Sequence, residues 1–540
     1  MLGGADDRSF AARYAPPLFL LVVSALVRFP FFDEPPGRDQ GLFIAQAWQW
    51  IQGASLYDEI WEHKPGGVIT LYGLALEFGG IRPVAIQFLH LLAGAATAIT
   101  LFVVASRAGL HAVAATLAGF FYLVFFGGPL FGGFWATAQV EVFIDLLVAL
   151  SLLLLIGGNR VPPRSRCFLA GLLIGLAVFG FKYSGLPLLA LVLLLWFPRA
   201  KPWAPPGSSL VLVVAGFLLP AVGIVSYFAA TDRFADFWRA TVEFNWAHRQ
   251  IDAPAENLSL LSRLLPFLDA LWVLYGLTAW AFIARVLFER QGWYRDRLLA
   301  AAGILFVAAL AQVFFQGKFW VYHYHVILLP LALGGALGLQ SLAELSRPRE
   351  RVDRNLWIVA LLATFFLLVS YGPFVAQYTQ QHRLLEYWQN RISESDWHAT
   401  YLWGGADYDY AETLAAAGQI ERSSLPGERV FVWGFEPSLY WLAQRKPSSR
   451  FLYDYPLSSH FGELASQYRS ELLGDLEAHP PAIVIVVSRD ASDIESESSD
   501  HQLRSHPELA AYLTRDYEPR WRLGDFTGYE RREGSAGPSP

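Results

Sequence analysis

Sulfur chemistry is nearly missing from this chain: of 540 residues only Cys167 carries a thiol. A lone cysteine excludes an internal disulfide and a thiolate metal cluster, so the compartment must be read from other features. Charge is sparse as well, at 16% Asp, Glu, Lys and Arg, and no basic excess exists, the formal net charge being -6. That balance excludes a basic face for nucleic acid. What is abundant is apolar: 54% of residues are hydrophobic and the mean hydropathy is +0.34. A soluble protein of this size does not need so much to fill its core. The excess is lipid-facing surface, and the expected class is an α-helical polytopic membrane protein.

A helix needs roughly 20 mostly apolar residues to cross the hydrocarbon. By that measure about eleven spans are expected. The first covers residues 15–32; the others lie near 83–106, 111–129, 139–157, 167–181, 184–198, 208–230, 266–289, 298–316, 321–343 and 355–377. Pro16 and Pro17 suit the start of the first helix, where their missing N–H groups would be unpaired anyway. No small-residue cleavage pattern follows, so this span reads as a retained anchor. The pair around "FGFKYSG" is short on both sides and reads either as two tilted helices or as one interrupted helix.

Basic residues set the orientation. Arg107 and the loops "NRVPPRSR", "PRAKP", "RVLFERQGWYRDR" and "SRPRERVDR" fall on one side, which the bias makes cytoplasmic together with the N-terminus. The intervening loops hold almost no Lys or Arg. The loop after the first span, the loop 231–265 and everything past the last span are therefore expected outside, as in a bacterial inner membrane protein facing the periplasm.

The expected division is a membrane domain, 1–377, whose first outer loop is 33–82, and an extracytoplasmic tail, 378–540. In the tail, the strand-like runs "RVFVWGF" and "AIVIVVSR" and the helix-like "FGELASQYRSELLGDLEA" predict a small α/β domain. Its end, "RREGSAGPSP", has the composition of a disordered terminus. No repeat of fixed period is present.

The first outer loop concentrates the chemistry. Asp39 follows the first span by about seven residues, at the depth where hydrocarbon meets water. Then "GLFIAQAWQWIQG" places Phe43, Ala47 and Trp50 at helical spacing, which predicts an amphipathic helix on the membrane ending at Gly53. "SLYDEIWEHKPGG" brings Glu62, His63 and Lys64 in front of the next apolar run. Such an acid and such a cation suit a phosphate-bearing lipid, whose tail stays in the bilayer and whose anionic head lies at the interface. Asp39 can act as general base on an acceptor hydroxyl, and Lys64 can neutralise the departing phosphate. Each has a plainer reading too: Asp39 as a helix N-cap, Lys64 as a snorkelling interface lysine.

An acid a few residues past the first span, the following "LY", "WEHKPG" and "LYGLALEFGG" resemble the first outer loop of the lipid-dependent glycosyltransferases of the GT-C superfamily. The similar subgroup comprises the protein O-mannosyltransferases, aminoarabinose transferases and rhizobial galacturonosyltransferases. "YHYHVILLPLALGGALGL" resembles a downstream span of the same group, and the likeness covers about 17–340. Where many relatives have Asp-Glu this chain has Asp39-Gln40, and where many have Lys-Pro-Pro it has Lys64-Pro65-Gly66. The resemblance implies a membrane glycosyltransferase with a polyprenyl-phosphate-linked donor and a lipid, glycan or protein acceptor.

Further candidates lie at the outer ends of spans. Glu141 reads as a substrate contact or as a carboxylate stabilising a helix start; Lys182 and Lys318 as phosphate contacts or interface anchors. In "GKFWVYHYHVILLP", His323 and His325 diverge by about 200° on a helix, and His325 is the preferred phosphate contact, with Tyr324 beside it. Arg249 closes a second interfacial helix, rich in Trp and Phe, in the loop 231–265. Asp39, Glu62 and His63 are the candidates for a divalent metal ion. The competing class is a flippase or transporter of lipid-linked glycans. Transporters place polar sites near the bilayer midplane, whereas here polar residues gather at the outer ends of the spans.

Overall fold

The computed structural model describes residues 4–126, 128–156, 162–195, 207–251, 267–288, 297–344, 356, 358, 359, 361, 362, 364, 382–399, 408–491 and 495–532. The chain opens with α1 (Gly4–Arg28), α2 (Arg38–Ile51), α3 (Gly67–Gly79), α4 (Pro83–Arg107), α5 (Ala112–Phe125), α6 (Val140–Leu155) and α7 (Arg164–Gly175). There follow α8 (Gly207–Ala230), the short α9 (Phe234–Trp238) and α10 (Phe244–Gln250), and helices Trp272–Phe288, Arg297–Gln316 and Leu328–Glu344. The tail carries β1 (Arg429–Trp433), β2 (Lys446–Pro447), β3 (Ile483–Val487), β4 (Tyr517–Leu523) and β5 (Phe526–Arg531).

Among the described residues, six helical segments are long and apolar enough to cross a membrane: 14–31, 83–107, 164–181, 207–230, 297–316 and 321–344. Shorter apolar helices cover 67–79, 112–125, 183–194 and 272–287. The expected span at 355–377 and the terminal "EGSAGPSP" lie outside the described residues. At "FGFKYSG" the helix widens into a π-turn over Leu176–Phe181 and breaks at Lys182, whose backbone is extended. A tightly wound segment, Tyr183–Leu195, follows, so the stretch is two helical pieces.

Two compact units organise the chain. Unit 1 comprises 1–32, 87–226 and 258–382; unit 2 comprises 33–86, 227–257 and 383–540. Unit 1 is the helical bundle. Its helices approach closely where glycine removes the side chain: a Cβ on Gly338 would lie 1.9 Å from the Leu277 carbonyl oxygen, and one on Gly171 2.0 Å from that of Val213.

Unit 2 joins the loop segments 33–86 and 227–257 to the tail. Its sheet runs β2-β1-β3-β5-β4, the first three strands parallel and the last two antiparallel to their neighbours. β1 and β3 occupy the two apolar runs expected to be strands, and the helix Gly462–Ala478 occupies the predicted helical stretch. β3 is buried along its whole length, as a central strand covered on both faces should be.

The helix α2 is packed differently from the membrane-lying helix its spacing suggests. Residues on every side of it are buried, Phe43 and Ala47 completely, because α3 covers one flank and the tail helix Ser438–Leu442 another. Gly73 of α3 lets Trp50 approach, since a Cβ there would meet its ring at 2.6 Å. Gly53 ends α2 with φ +96°, the left-handed conformation favoured after a helix C-terminus. In α9 and α10 the faces separate: Phe237 and Phe244 are buried, whereas Trp238 and Trp246 are exposed beside Arg239 and Arg249.

Candidate functional site

Asp39, Glu62, His63, Lys64 and Arg249 belong to unit 2; Glu141, Lys182, Lys318, Tyr324 and His325 belong to unit 1.

In unit 2, Asp39 sits in the first turn of α2, whose N-cap is Gly37 and which has no side-chain cap. It is half-buried. Asp39 and Phe43 are one helical turn apart and share a face. The Lys64 ammonium lies over the Phe43 ring, 4.9 Å from its centroid, so the cation stands on the face that bears the acid. His63 and Tyr453 feel the Asp39 charge as well.

Glu62 organises this corner. It is fully buried; Gln46 Nε2 donates to its Oε2 at 2.9 Å and the Lys64 N–H donates to its Oε1 at 2.9 Å. His63 Nδ1 is 3.0 Å and the Lys64 ammonium 3.8 Å from the same Oε1. Burial alone would push this carboxyl up; Lys64 and His63 outweigh it and hold the group at about 2. Burial and the Lys64 charge lower the His63 imidazole, favouring its neutral form. The Lys64 carbonyl accepts the Tyr57 hydroxyl at 3.0 Å, and the His63 carbonyl accepts Asn245 Nδ2 from the loop 227–257. Lys64 is therefore held by backbone and side chain together.

An aromatic knot backs the corner. The Trp61 ring meets Phe244 at 4.8 Å, Tyr468 at 5.9 Å and Tyr453 at 6.0 Å, which joins the loops 33–86 and 227–257 to the tail. His248 lies 5.9 Å from His63 ring to ring, and its Nδ1 pairs with the Tyr455 hydroxyl at 2.5 Å. Arg249, the next residue, is exposed. No group of three or more His, Cys, Asp or Glu side chains among the described residues is arranged to hold a metal ion.

In unit 1, Lys182 Nζ donates to Glu141 Oε1 at 2.6 Å, which joins two of the expected contacts. His325 is buried: its Nδ1 faces Asp145 Oδ2 at 3.0 Å, and the rings of Phe131, Phe126 and Tyr122 surround it at 5.1, 5.7 and 5.9 Å. Tyr122 donates to the same Asp145 oxygen at 3.1 Å. Tyr324 is buried and stacks on Phe267, and Lys318 is buried. An apolar cavity of about 780 Å³ opens nearby in the bundle, lined by Pro187, Tyr275, Thr278, Phe282, Val307 and Pro330 among others.

Sequence reasoning passed over Asp145, Arg38 and Glu436. Asp145 is masked by the apolar run around it, although a carboxylate inside a span is itself a signal. Arg38 stands beside Asp39, and its Nε donates to Glu436 Oε1 of the tail at 2.8 Å.

No protein-family model matches the sequence, and no curated protein matches it. Solved structures do. ArnT from Cupriavidus metallidurans bound to undecaprenyl phosphate is similar with a TM-score of 0.59 at 14% identity, over 97% of this chain and 99% of that one. Its apo state gives 0.56 at 15% identity over the same shares. The Archaeoglobus fulgidus oligosaccharyltransferase tethered to an acceptor peptide gives 0.51 at 13% identity, over 97% of this chain and 75% of that one. At such identities the likeness is one of fold: the chain has a mostly helical, GT-C-like fold with several apolar spans and a small C-terminal sheet region, the fold class expected from its sequence.

Proposed function

We propose that the chain is a membrane glycosyltransferase that moves a sugar from a polyprenyl-phosphate carrier to a hydroxyl acceptor on the outer face of a bacterial inner membrane. The observation that carries this reading is the shared face of Asp39 and Lys64: a half-buried carboxylate in the first turn of α2, with an ammonium over the Phe43 ring one turn on. Asp39 takes the proton of the acceptor hydroxyl as its oxygen bonds to the anomeric carbon. The bond from that carbon to the phosphate oxygen breaks, and the leaving phosphate carries its charge toward Lys64. Attack opposite the leaving group inverts the sugar.

Three further features support the reading. Structures similar in fold include one bound to undecaprenyl phosphate and one tethered to an acceptor peptide. The cavity of about 780 Å³ offers an apolar surface of the kind a prenyl chain requires. Lys64 is rigidly held by Glu62 and Tyr57, as preorganised electrostatic stabilisation demands.

The test uses the purified full-length protein in liposomes with radiolabelled undecaprenyl-phosphate-linked sugars and a membrane extract as acceptor source. Asp39→Asn should lower transfer roughly 10²- to 10⁴-fold, the usual worth of a general base. Transfer at the wild-type rate by folded Asp39→Asn overturns the assignment. Movement of labelled lipid between leaflets without transfer would instead support the transporter reading.

A further inference from the structure

The tail grips the chain on both sides of Asp39. Upstream, the Tyr408 hydroxyl donates to the Pro36 carbonyl. At the adjoining position, the side chain of Arg38, the first residue of α2, reaches into the tail, where its Nε donates to Glu436 Oε1 at 2.8 Å and its guanidinium lies 5.6 Å from the Tyr408 ring centroid. Downstream, Gly41 lies so close to the helix Ser438–Leu442 that a Cβ would fall 2.1 Å from Ser438 Oγ. Arg38 and Glu436 are 8% and 3% exposed, so the pair is desolvated and its geometry is restricted.

Glu436 follows β1 at the carboxyl end of the parallel strands, the edge of an open sheet where polar groups converge. Asp490, past the end of the neighbouring β3, and Asp525 add negative charge toward it. Asp409 and Glu412 line, with Arg38, Glu436 and Asp525, a cavity of about 10 Å³, room for about one water. Arg38 thus inserts its guanidinium among carboxylates, of which Glu436 is its own partner and Asp525 is paired with Arg489. Because α2 has no side-chain cap, the position of its first turn, and of Asp39 in it, depends on these outside contacts.

We infer that Glu436 is a positioning residue for the transfer reaction: through Arg38 it fixes the first turn of α2 and so holds Asp39 where a base must stand. The tail is on this account part of the catalytic apparatus. The inference rests on the reading of Asp39 as general base, and the experiment separates the two.

The full chain in liposomes is assayed with undecaprenyl-phosphate-linked sugars as wild type, Glu436→Gln, Asp39→Asn and the double variant, kcat and KM being measured for each. Glu436→Gln keeps the volume and an acceptor oxygen while removing the charge. The expected result is a fall in kcat of roughly 10- to 100-fold, the usual effect of removing a group that orients a catalytic residue, with KM for the donor within about two-fold. In the Asp39→Asn background the same substitution should have no further effect, because it acts through Asp39. An unchanged kcat in Glu436→Gln overturns the inference while leaving the base assignment intact. A loss that multiplies with that of Asp39→Asn also overturns it, since the role is then structural or separate. Full activity of Asp39→Asn overturns the base assignment itself. Should Glu436→Gln not fold, Tyr408→Phe, which removes only the hydroxyl bonded to Pro36, goes through the same cycle. An undiminished kcat there sinks the proposal.

Discussion

Glu62 Oε1 accepts the Lys64 N–H at 2.9 Å and lies 3.8 Å from the Lys64 ammonium, so one buried carboxylate holds both the chain and the charge of the same lysine. Its carboxyl is held at about 2 instead of 4.5, a difference worth about 3 kcal/mol of stability. The sign follows from the depression: the folded form keeps the proton off where the unfolded chain would bind it. That stability is fully present above about pH 4.5 and disappears as pH falls toward 2. Glu62→Gln should therefore melt well below wild type at pH 7, with the gap closing in acid, as followed by calorimetry of the detergent-solubilised protein. A constant gap across pH would contradict the role.

The Asp454–Ser499–Asp490 cluster responds in the opposite direction. Ser499 Oγ lies 2.5 Å from Asp454 Oδ2 and 2.6 Å from Asp490 Oδ2, and one hydroxyl has one proton to give. The second contact needs a proton from a carboxyl. Asp490 accepts the N–H groups of Ser499 and Phe435, which suits its charged form, so Asp454 is the protonated partner. Burial, then the Asp490 charge, pushes Asp454 up to about 7. Between about pH 4 and 7 the folded chain keeps a proton that the unfolded chain has lost, so stability falls as pH rises through that window. Asp454→Asn, which stays neutral and can donate to Ser499 Oγ, should flatten the decline. An unaltered pH dependence of the melting temperature in that variant would refute the shared-proton account.

How far the sequence could reveal this follows from the range of each interaction. The spans stand out because every residue facing hydrocarbon must be apolar, and β1 and β3 because a strand covered on both faces reads as a continuous apolar run. The end of α2 is equally local, since Gly53 meets a backbone requirement there. The burial of α2 is not local. Arg38 and Glu436 are 398 positions apart, and nothing near Phe43 distinguishes a helix resting on lipid from one covered by a distant tail. The β4–β5 hairpin was also hidden, because its strands carry exposed polar residues and turn at Gly524 without a strong apolar alternation. The concentration of acid and cation in one loop was legible, Glu62 beside Lys64 included; Glu436 and Asn245, which brace Arg38 and His63, lie far along the chain.

Gly338 should tolerate no larger residue. A Cβ there would lie 1.9 Å from the Leu277 carbonyl oxygen and 2.6 Å from its carbon, both backbone atoms that cannot turn aside. Gly334, one turn earlier, faces Thr278 at 2.6 Å, so the two glycines form a small-residue seam between helices 328–344 and 272–288. Gly338→Ala should cost about 1–3 kcal/mol as the helices part. Gly338→Leu should abolish the monodisperse detergent-solubilised protein, read by size-exclusion chromatography. Wild-type behaviour of the leucine variant would mean that the two helices do not pack along this seam.

Arg450 is the tie by which the tail holds the loops 33–86 and 227–257. Its guanidinium donates to the Tyr57 carbonyl of the first loop at 2.5 Å and approaches Asp236 of the second at 3.4 Å. Its Nη2 donates to Glu471 Oε2 at 2.8 Å, and its Nε lies 2.5 Å from Glu471 Oε1 as an ion-pair contact. The backbone N–H of Trp61 completes the tie by donating to the Arg450 carbonyl at 3.1 Å. Arg450→Met keeps the bulk and removes every donor on the side chain, leaving a buried carbonyl and two carboxylates unpaired. The expected loss is about 1–3 kcal/mol, the cost of stranding the buried Tyr57 carbonyl, since Asp236 and Glu471 are partly exposed and regain water. Arg450→Lys should recover only part of it, because an ammonium cannot serve Tyr57, Asp236 and Glu471 together. Limited proteolysis supplies the check: in Arg450→Met, cleavage within 54–66 and 231–251 should accelerate together, since both loops lose the same anchor. Acceleration at one loop alone would show that the other is held independently of this arginine.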